Sequence, residues 1–330
     1  MRDFFRLAAI SAVVFVTSVS FADSHSDGAS HQKAVLITGA STGIGRHAAE
    51  TLAAKGYFIY AGARKQSDLD ELNKIPNVQA IRLDVTSQEE VDAAVETVRK
   101  GGRGLYGLVN NAGVGSGGPL LENDEENIRW LFDVNVFGVV KVTQAFAPLI
   151  IESKGRIATV GSIAGILTFM GGGDYTMSKH AMEAFSDTLG IEMERFGVQS
   201  SVIQPGNYRS AISLSARARR GGLTEAQKNS PYADYYSSRQ EGTADRSEYK
   251  DPDEVSAAIE HALFDPNPKI RYMVVPNREE ATWTIGRTLQ RVAERNEGQE
   301  HAFSREELIA MLDAAIAAEN GTADSATDSE

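Results

Sequence analysis

Lys33-Ala34-Val35-Leu36-Ile37-Thr38 runs straight into Gly39-Ala40-Ser41-Thr42-Gly43-Ile44-Gly45, and this stretch decides the fold. Its first part is apolar and rich in branched side chains, the pattern of a short buried strand. Ile44 to Lys55 then follows with helical spacing and stops at Gly56. Between strand and helix the glycines are spaced G-x-x-x-G-x-G. They allow a tight turn and let backbone N–H groups approach a pyrophosphate at the positive end of the helix. A bare glycine loop could equally be a turn that binds nothing; its place between strand and helix gives it weight.

The pattern repeats along the chain. Tyr57 to Ala63, Val78 to Leu83, Leu105 to Val109, Arg156 to Val160, Val198 to Ile203 and Ile270 to Val275 read as further strands. Ser87 opens a helix to about Lys100, with Glu90 placed for a capping box. Helical stretches follow at Asp124 to Leu131 and Val136 to Ile151. Strands separated by helix-length segments imply right-handed crossovers. The fold expected is therefore α/β, a Rossmann-type doubly wound parallel sheet with helices on both faces. Ligands in such sheets sit beyond the carboxyl ends of the strands.

Composition narrows the function. The 330 residues carry a net charge of -12, and the densest basic cluster, Arg217 to Arg220, is short. A nucleic-acid partner needs a larger positive footprint and is not expected. With no cysteine, disulfides, zinc-thiolate sites and thiol nucleophiles are excluded together. Residues 1–22 carry Arg2 and Arg6, an apolar stretch from Leu7 to Val19, and Ser20-Phe21-Ala22, the pattern of an export signal peptide. An uncleaved membrane anchor with the domain left in the cytoplasm is the alternative, so membrane association is expected only through this segment. Residues 23–32 form a polar linker whose His25 and His31 need no metal to explain them, and no metal site is expected. Residues 320–330 are small and acidic, the composition of a disordered tail.

Chemistry gathers at the strand ends. Tyr175 and Lys179 are four apart, so on a helix they share one face. A nearby ammonium favours the phenolate and lowers the tyrosine pKa towards a range useful for proton transfer. Ser162 lies just past the strand ending at Val160, Asn110-Asn111-Ala112-Gly113 follows the fourth strand, and Pro205-Gly206 follows the strand ending at Ile203. Asn135 stands in Asp133-Val134-Asn135-Val136.

This ordered set resembles the short-chain dehydrogenase/reductase family, in its single-domain branch, over about 33–277. By that resemblance Gly39, Ser41, Thr42, Gly43, Ile44 and Gly45 hold the cofactor pyrophosphate. Asp84 contacts the adenine amino group with Val85 beside it, and Asn110, Asn111, Ala112 and Gly113 buttress the adenine side. Tyr175 is the acid/base; Lys179 lowers its pKa and binds the nicotinamide ribose. Ser162 orients the substrate oxygen, and Asn135 holds a water connecting Lys179 to solvent. Pro205-Gly206 with Ser210 matches the family's Pro-Gly-x-x-x-Thr, a serine replacing the threonine, so the nicotinamide carboxamide keeps a hydroxyl contact. The stretch from Tyr175 to Asp187 looks most like steroid and retinol dehydrogenases, which points to a lipophilic alcohol or carbonyl substrate. A homo-oligomer is implied by the resemblance alone.

At the end of the second strand stands Ala63, followed by Arg64 and Lys65. A carboxylate there would repel a ribose 2′-phosphate, whereas a guanidinium pairs with it, so NADP(H) is expected, with NAD(H) possible. Residues 211–250 fall where the family has a substrate lid, and carry Arg217, Arg219, Arg220, Tyr232, Tyr235 and Tyr236. Residues 278–319 read as a helical extension that caps the domain or meets a partner subunit. Two other functions compete: a non-catalytic NADP-binding sensor, which would typically lack the tyrosine or lysine, and a sugar-nucleotide epimerase or dehydratase, whose glycine spacing is one residue tighter.

Overall fold

The computed structural model describes residues 32–115, 117–241 and 245–319. The leader at 1–22, the linker except Gln32, and the tail at 320–330 lie outside the described residues.

Seven parallel strands form one sheet in the order β3-β2-β1-β4-β5-β6-β7. They are β1 (Ala34–Ile37), β2 (Phe58–Ala63), β3 (Val78–Arg82), β4 (Gly107–Asn110), β5 (Arg156–Val160), β6 (Gln199–Pro205) and β7 (Arg271–Val274). All seven expected strands are present, with ends moved by one or two residues. β1 is buried on both faces: Val35 and Ile37 enter one core with Leu52, Ile59 and Ile259, while Leu36 enters the other with Leu108 and Phe146. That two-sided burial is why β1 reads as an unbroken apolar run.

The first core is covered by α1 (Gly43–Ala54), α2 (Gln66–Leu72) and α10 (Asp253–Phe264). The second is covered by α3 (Gln88–Lys100), α4 (Glu125–Phe132), α5 (Gly138–Glu152) and α6 (Gly173–Glu194). Chain order reverses direction between β1 and β4, which opens a crevice beyond their carboxyl ends. Three details differ from expectation. At α3 the Ser87 hydroxyl accepts from Glu90 N at 3.2 Å, but the Glu90 carboxylate turns away to accept from Asp84 N and Arg82. Half a capping box forms, and the other half fixes the end of β3. Second, α4 and α5 are one continuous helix, joined through a π turn at Asp133–Phe137. Third, residues 211–250 are not a plain loop. They contain α7 (Ile212–Arg220), a single turn α8 (Glu225–Lys228) and α9 (Ala233–Glu241). Thr224 and Gln227 supply the reciprocal cap that stops water from taking the first N–H groups of α8.

After β7 come α11 (Arg278–Asn296) and α12 (Arg305–Glu319). α11 packs on the domain: Glu280 and Thr284 are buried, and Arg291 meets His180 of α6 at 3.3 Å. α12 buries none of its residues.

Candidate active site

The crevice between β1 and β4 is lined first by backbone. Gly39 and Gly43 have φ of +63° and +58°, a region that side chains other than glycine's resist. A Cβ on Gly45 would stand 2.2 Å from Asn111 Nδ2, so that position admits no side chain. Asn111 is itself fixed, donating from Nδ2 to the carbonyls of Thr38 at 2.9 Å and Gly39 at 3.1 Å. Thr38 Oγ1 accepts from the N–H groups of Asn111 and Ala112, both at 2.9 Å. Thr38 thereby ties the two loops across the switch point, a role the sequence reading did not give it. The β-branched hydroxyl at a strand end was the available signal.

The first turn of α1 has no side-chain cap, since Thr42 makes none. Its N–H groups therefore face the crevice without a side-chain partner at the positive end of the helix dipole, which suits a phosphate. The cavity above them has a volume of 890 Å³ and runs from the glycine loop to Tyr175. Ser41, Thr42, Gly43 and Ile44 line it, as do Arg64, Asp84, Val85, Ala112 and Gly113, then Ser162, Lys179, Pro205 and Ser210. Uncapped helix, glycine cradle and elongated cavity fit a dinucleotide. Three predicted residues stay out of the wall. Gly45 serves close packing, Gly206 sits against Glu280, and Asn135 lies behind the site. Asn110, one residue before the loop, is buried and donates to Thr143 Oγ1 at 2.9 Å, below the adenine side rather than in it.

At the adenine end, Asp84 accepts from Thr86 N at 2.9 Å and Thr86 Oγ1 at 2.7 Å. Burial pushes its carboxyl up, but those bonds and Arg64 outweigh it and hold it below the usual range. Arg64 Nη1 stands 3.6 Å from Asp84 Oδ2, so this guanidinium already has a carboxylate neighbour.

The other end is built on α6. Tyr175 and Lys179 share a face of the helix, and Lys179 Nζ lies 5.7 Å from the Tyr175 ring centre. Lys179 is buried and donates to Val160 O at 3.1 Å. Burial lowers its pKa to about 8, with Glu183 pulling the other way. Ser162 Oγ accepts from Ala164 N at 3.1 Å, and Ser162 and Tyr175 line the same end of the crevice. The Tyr175 phenol moves opposite to the sequence expectation. Burial raises its pKa, and the groups that oppose this are Ser162 and Arg246, with no contribution from Lys179. With its own pKa lowered to about 8, Lys179 has lost its charge in the range where the raised phenol titrates, and its Nζ is directed at the Val160 carbonyl.

Asn135 sits in the π turn, where an extra residue lets its side chain leave the helix face. Its Oδ1 accepts from Val114 N at 2.8 Å, and Nδ2 donates to Val114 O and Ser178 Oγ at 3.0 and 3.1 Å. Its amide groups are engaged by the protein itself and clamp the β4 loop to α6.

Glu280 was invisible in the sequence because it is far from every motif. Its carboxylate accepts from Asn207 N at 2.9 Å and Asn207 Nδ2 at 3.1 Å, holding the turn after Pro205-Gly206. Among the described residues no group of histidines and carboxylates could hold a metal.

A doubly wound parallel sheet thus carries a dinucleotide-sized crevice at its switch point, with Ser162, Tyr175 and Lys179 at one end. The short chain dehydrogenase family model matches residues 33–221, and the chain belongs to that family. It is 38% identical over 193 residues to the mitochondrial D-beta-hydroxybutyrate dehydrogenase of Rattus norvegicus, covering 55% of this chain and 56% of that protein. The chain thus spans little more than half the length of that relative. It is 34% identical over 253 residues to retinol dehydrogenase 16 of the same species, covering 73% of this chain and 80% of the relative. A short chain dehydrogenase/reductase from Burkholderia phymatum solved with NAD superposes with a TM-score of 0.67 at 26% identity, covering 82% of this chain and 98% of that one.

Proposed function

We propose that the chain is an NADP(H)-dependent oxidoreductase interconverting a primary or secondary alcohol and its aldehyde or ketone, on a substrate with a lipophilic body. The observation that carries this is the pair Tyr175 and Ser162, which line both the dinucleotide-sized crevice and a second cavity where the two meet. When bound, the nicotinamide supplies or accepts the hydride. Tyr175 gives its proton to the developing alkoxide, or takes the alcohol proton in the opposite direction. The Ser162 hydroxyl, whose oxygen already accepts from Ala164 N, is free to aim its hydrogen at the same oxygen. Both donors act where charge appears, so they strengthen in the transition state. Burial keeps Tyr175 protonated at neutral pH, which favours proton donation to a carbonyl.

The residues at the end of β2 support NADP(H). No carboxylate follows Ala63, and Arg64 and Lys65 line the crevice there. Arg64 can leave Asp84 for a 2′-phosphate, since it is 60% exposed and its present partner is 3.6 Å away. The test compares nucleotide affinity by Trp130 fluorescence, and turnover on an alcohol and ketone panel, with NADPH and NADH. Wild type is expected to prefer NADPH by at least about tenfold, and Arg64→Glu to reverse that order. An NADPH preference unchanged in Arg64→Glu overturns the cofactor assignment; no turnover with either nucleotide overturns the reaction.

A further inference from the structure

On the far side of Tyr175 lies a second cavity of 660 Å³, which shares Ser162 and Tyr175 with the crevice. Its described charged lining is Arg217 from α7, Arg239 from α9, and Asp245 and Arg246 from the segment after α9. Among the described residues three arginines and one carboxylate therefore line this cavity, in a chain whose net charge is -12. Asp245 is already occupied, accepting from Ser247 N at 2.8 Å and Ser247 Oγ at 2.9 Å. Among the described residues neither Arg239 nor Arg246 is held by a carboxylate. Arg246 is half-buried, with its guanidinium 5.4 Å from the ring centre of Tyr249.

A lone arginine on a lid is usually a solvated cation, its stem lying on apolar surface. That reading explains Arg239 taken singly. It does not explain why two helices and a connecting segment bring three such groups to one cavity beside a buried phenol. A concave site with walls of one sign focuses its field on an ion of the other. A guanidinium also matches a carboxylate in geometry, presenting two parallel N–H donors. Leu167, Phe169 and Trp283 give part of the remaining wall an apolar surface, beside the polar Thr168, Asn207, Ser213 and Ser238.

We propose that this cavity selects an anionic substrate, an oxo or hydroxy acid whose carboxylate pairs with Arg246, flanked by Arg217 and Arg239, while its reacting oxygen meets Ser162 and Tyr175. The apolar wall takes the carbon chain between the two ends. The proposal rests on the oxidoreductase reading of the same site. It adds a consequence for the phenol. In the free protein Arg246 pulls the Tyr175 pKa down. A carboxylate on Arg246 offsets that pull and adds to burial in holding the phenol in its proton-donating form.

The test uses the full chain and compares short and medium oxo acids with their primary amides, which match in size and lack the charge. Turnover is followed with NADPH and NADH for wild type, Arg246→Gln and Arg246→Lys. Wild type is expected to prefer acid over amide in kcat/KM by at least about tenfold at low salt. Arg246→Gln should reduce that preference by at least about tenfold, chiefly through KM of the acid, and Arg246→Lys should restore part of it. Binding is read independently. With Trp130→Phe, Trp283 is the sole tryptophan of the two, and the oxo acid should quench it saturably, less so in Arg246→Gln. Acid and amide used alike, or both losing equally in Arg246→Gln, overturns the anion assignment and leaves the oxidoreductase reading standing. Quenching by the acid without turnover of any alcohol or carbonyl overturns that reading and leaves the anion site. Neither quenching nor turnover overturns both.

Discussion

The two cavities that meet at Tyr175 are built from different material. The nucleotide crevice is made by main chain: glycines at positive φ, an uncapped helix start, and two loops cross-tied by Thr38 and Asn111. The second cavity is lined by the segment from Ser162 to Tyr175 together with side chains carried on α7, α9, α11 and the segment after α9. A phosphate is the same in every nucleotide, so a fixed backbone cradle serves it. A substrate differs from one family member to the next, and exchangeable side chains on helices such as α7 and α9 suit that variation. Five experiments follow, ordered by expected effect.

Tyr175 belongs to both cavities, so Tyr175→Phe strikes hardest. Turnover should fall by about 10²- to 10⁴-fold, the range for losing a positioned acid, while nucleotide affinity stays near wild type. Retained turnover would place the chemistry elsewhere. The pH profile carries a sign as well. Because burial raises the phenol, carbonyl reduction should be level through neutral pH and fall only in alkali, whereas alcohol oxidation should rise with pH. Lys179, lowered to about 8, loses its charge above that value, so nucleotide affinity should weaken as pH climbs through about 8. In Lys179→Met that step should vanish.

Gly45→Ala attacks the backbone cradle. The added methyl meets Asn111 Nδ2 at 2.2 Å, and Asn111 is pinned by two hydrogen bonds. Overpacking of this kind costs about 1–3 kcal/mol. Thermal denaturation should show the loss, and NADPH titration should show weakened binding. A variant as stable and as tight-binding as wild type would mean the cradle yields easily.

Glu280→Ala tests the seam between the two cavities. It leaves Asn207 N without its acceptor at a buried position, a cost of about 1–3 kcal/mol. The turn after Pro205-Gly206 should loosen, raising KM for nucleotide and substrate together, and Glu280→Gln should recover part of both. An effect on stability with both KM values unchanged would reduce Glu280 to a packing role.

The smallest effect is expected at Gly286, in the middle of α11 with open space around its absent Cβ. Gly286→Ala should stabilise the protein by up to about 1 kcal/mol through helix propensity alone and leave turnover unchanged. Destabilisation there would show that α11 needs a bare face, as a subunit contact would.

The nucleotide half was legible because its requirements are local. A strand, a glycine loop and a helix start are neighbours in the chain, and their spacing fixes which N–H groups converge. That Tyr175 and Lys179 share a face was legible too, since it needs only helical periodicity. The protonation behaviour of Tyr175 was not legible, because it depends on burial and on where the Lys179 ammonium points, and the chain's order records neither. Asn135 fell between two expected helices, because the π turn that joins them and frees its side chain leaves no mark in hydrophobic periodicity. The helices of the lid went unread because their apolar faces are narrow and their caps sit among polar residues.

The amino-acid order alone determined the parallel sheet, its crevice and the family of chemistry, because these follow from periodicity and turn geometry over a few residues. Tertiary structure alone decided that Glu280 braces a turn 73 positions earlier. It alone brought Arg217, Arg239 and Arg246 to one wall and left the phenol high rather than low. Contacts between segments far apart in the chain, and the water they exclude, set those properties.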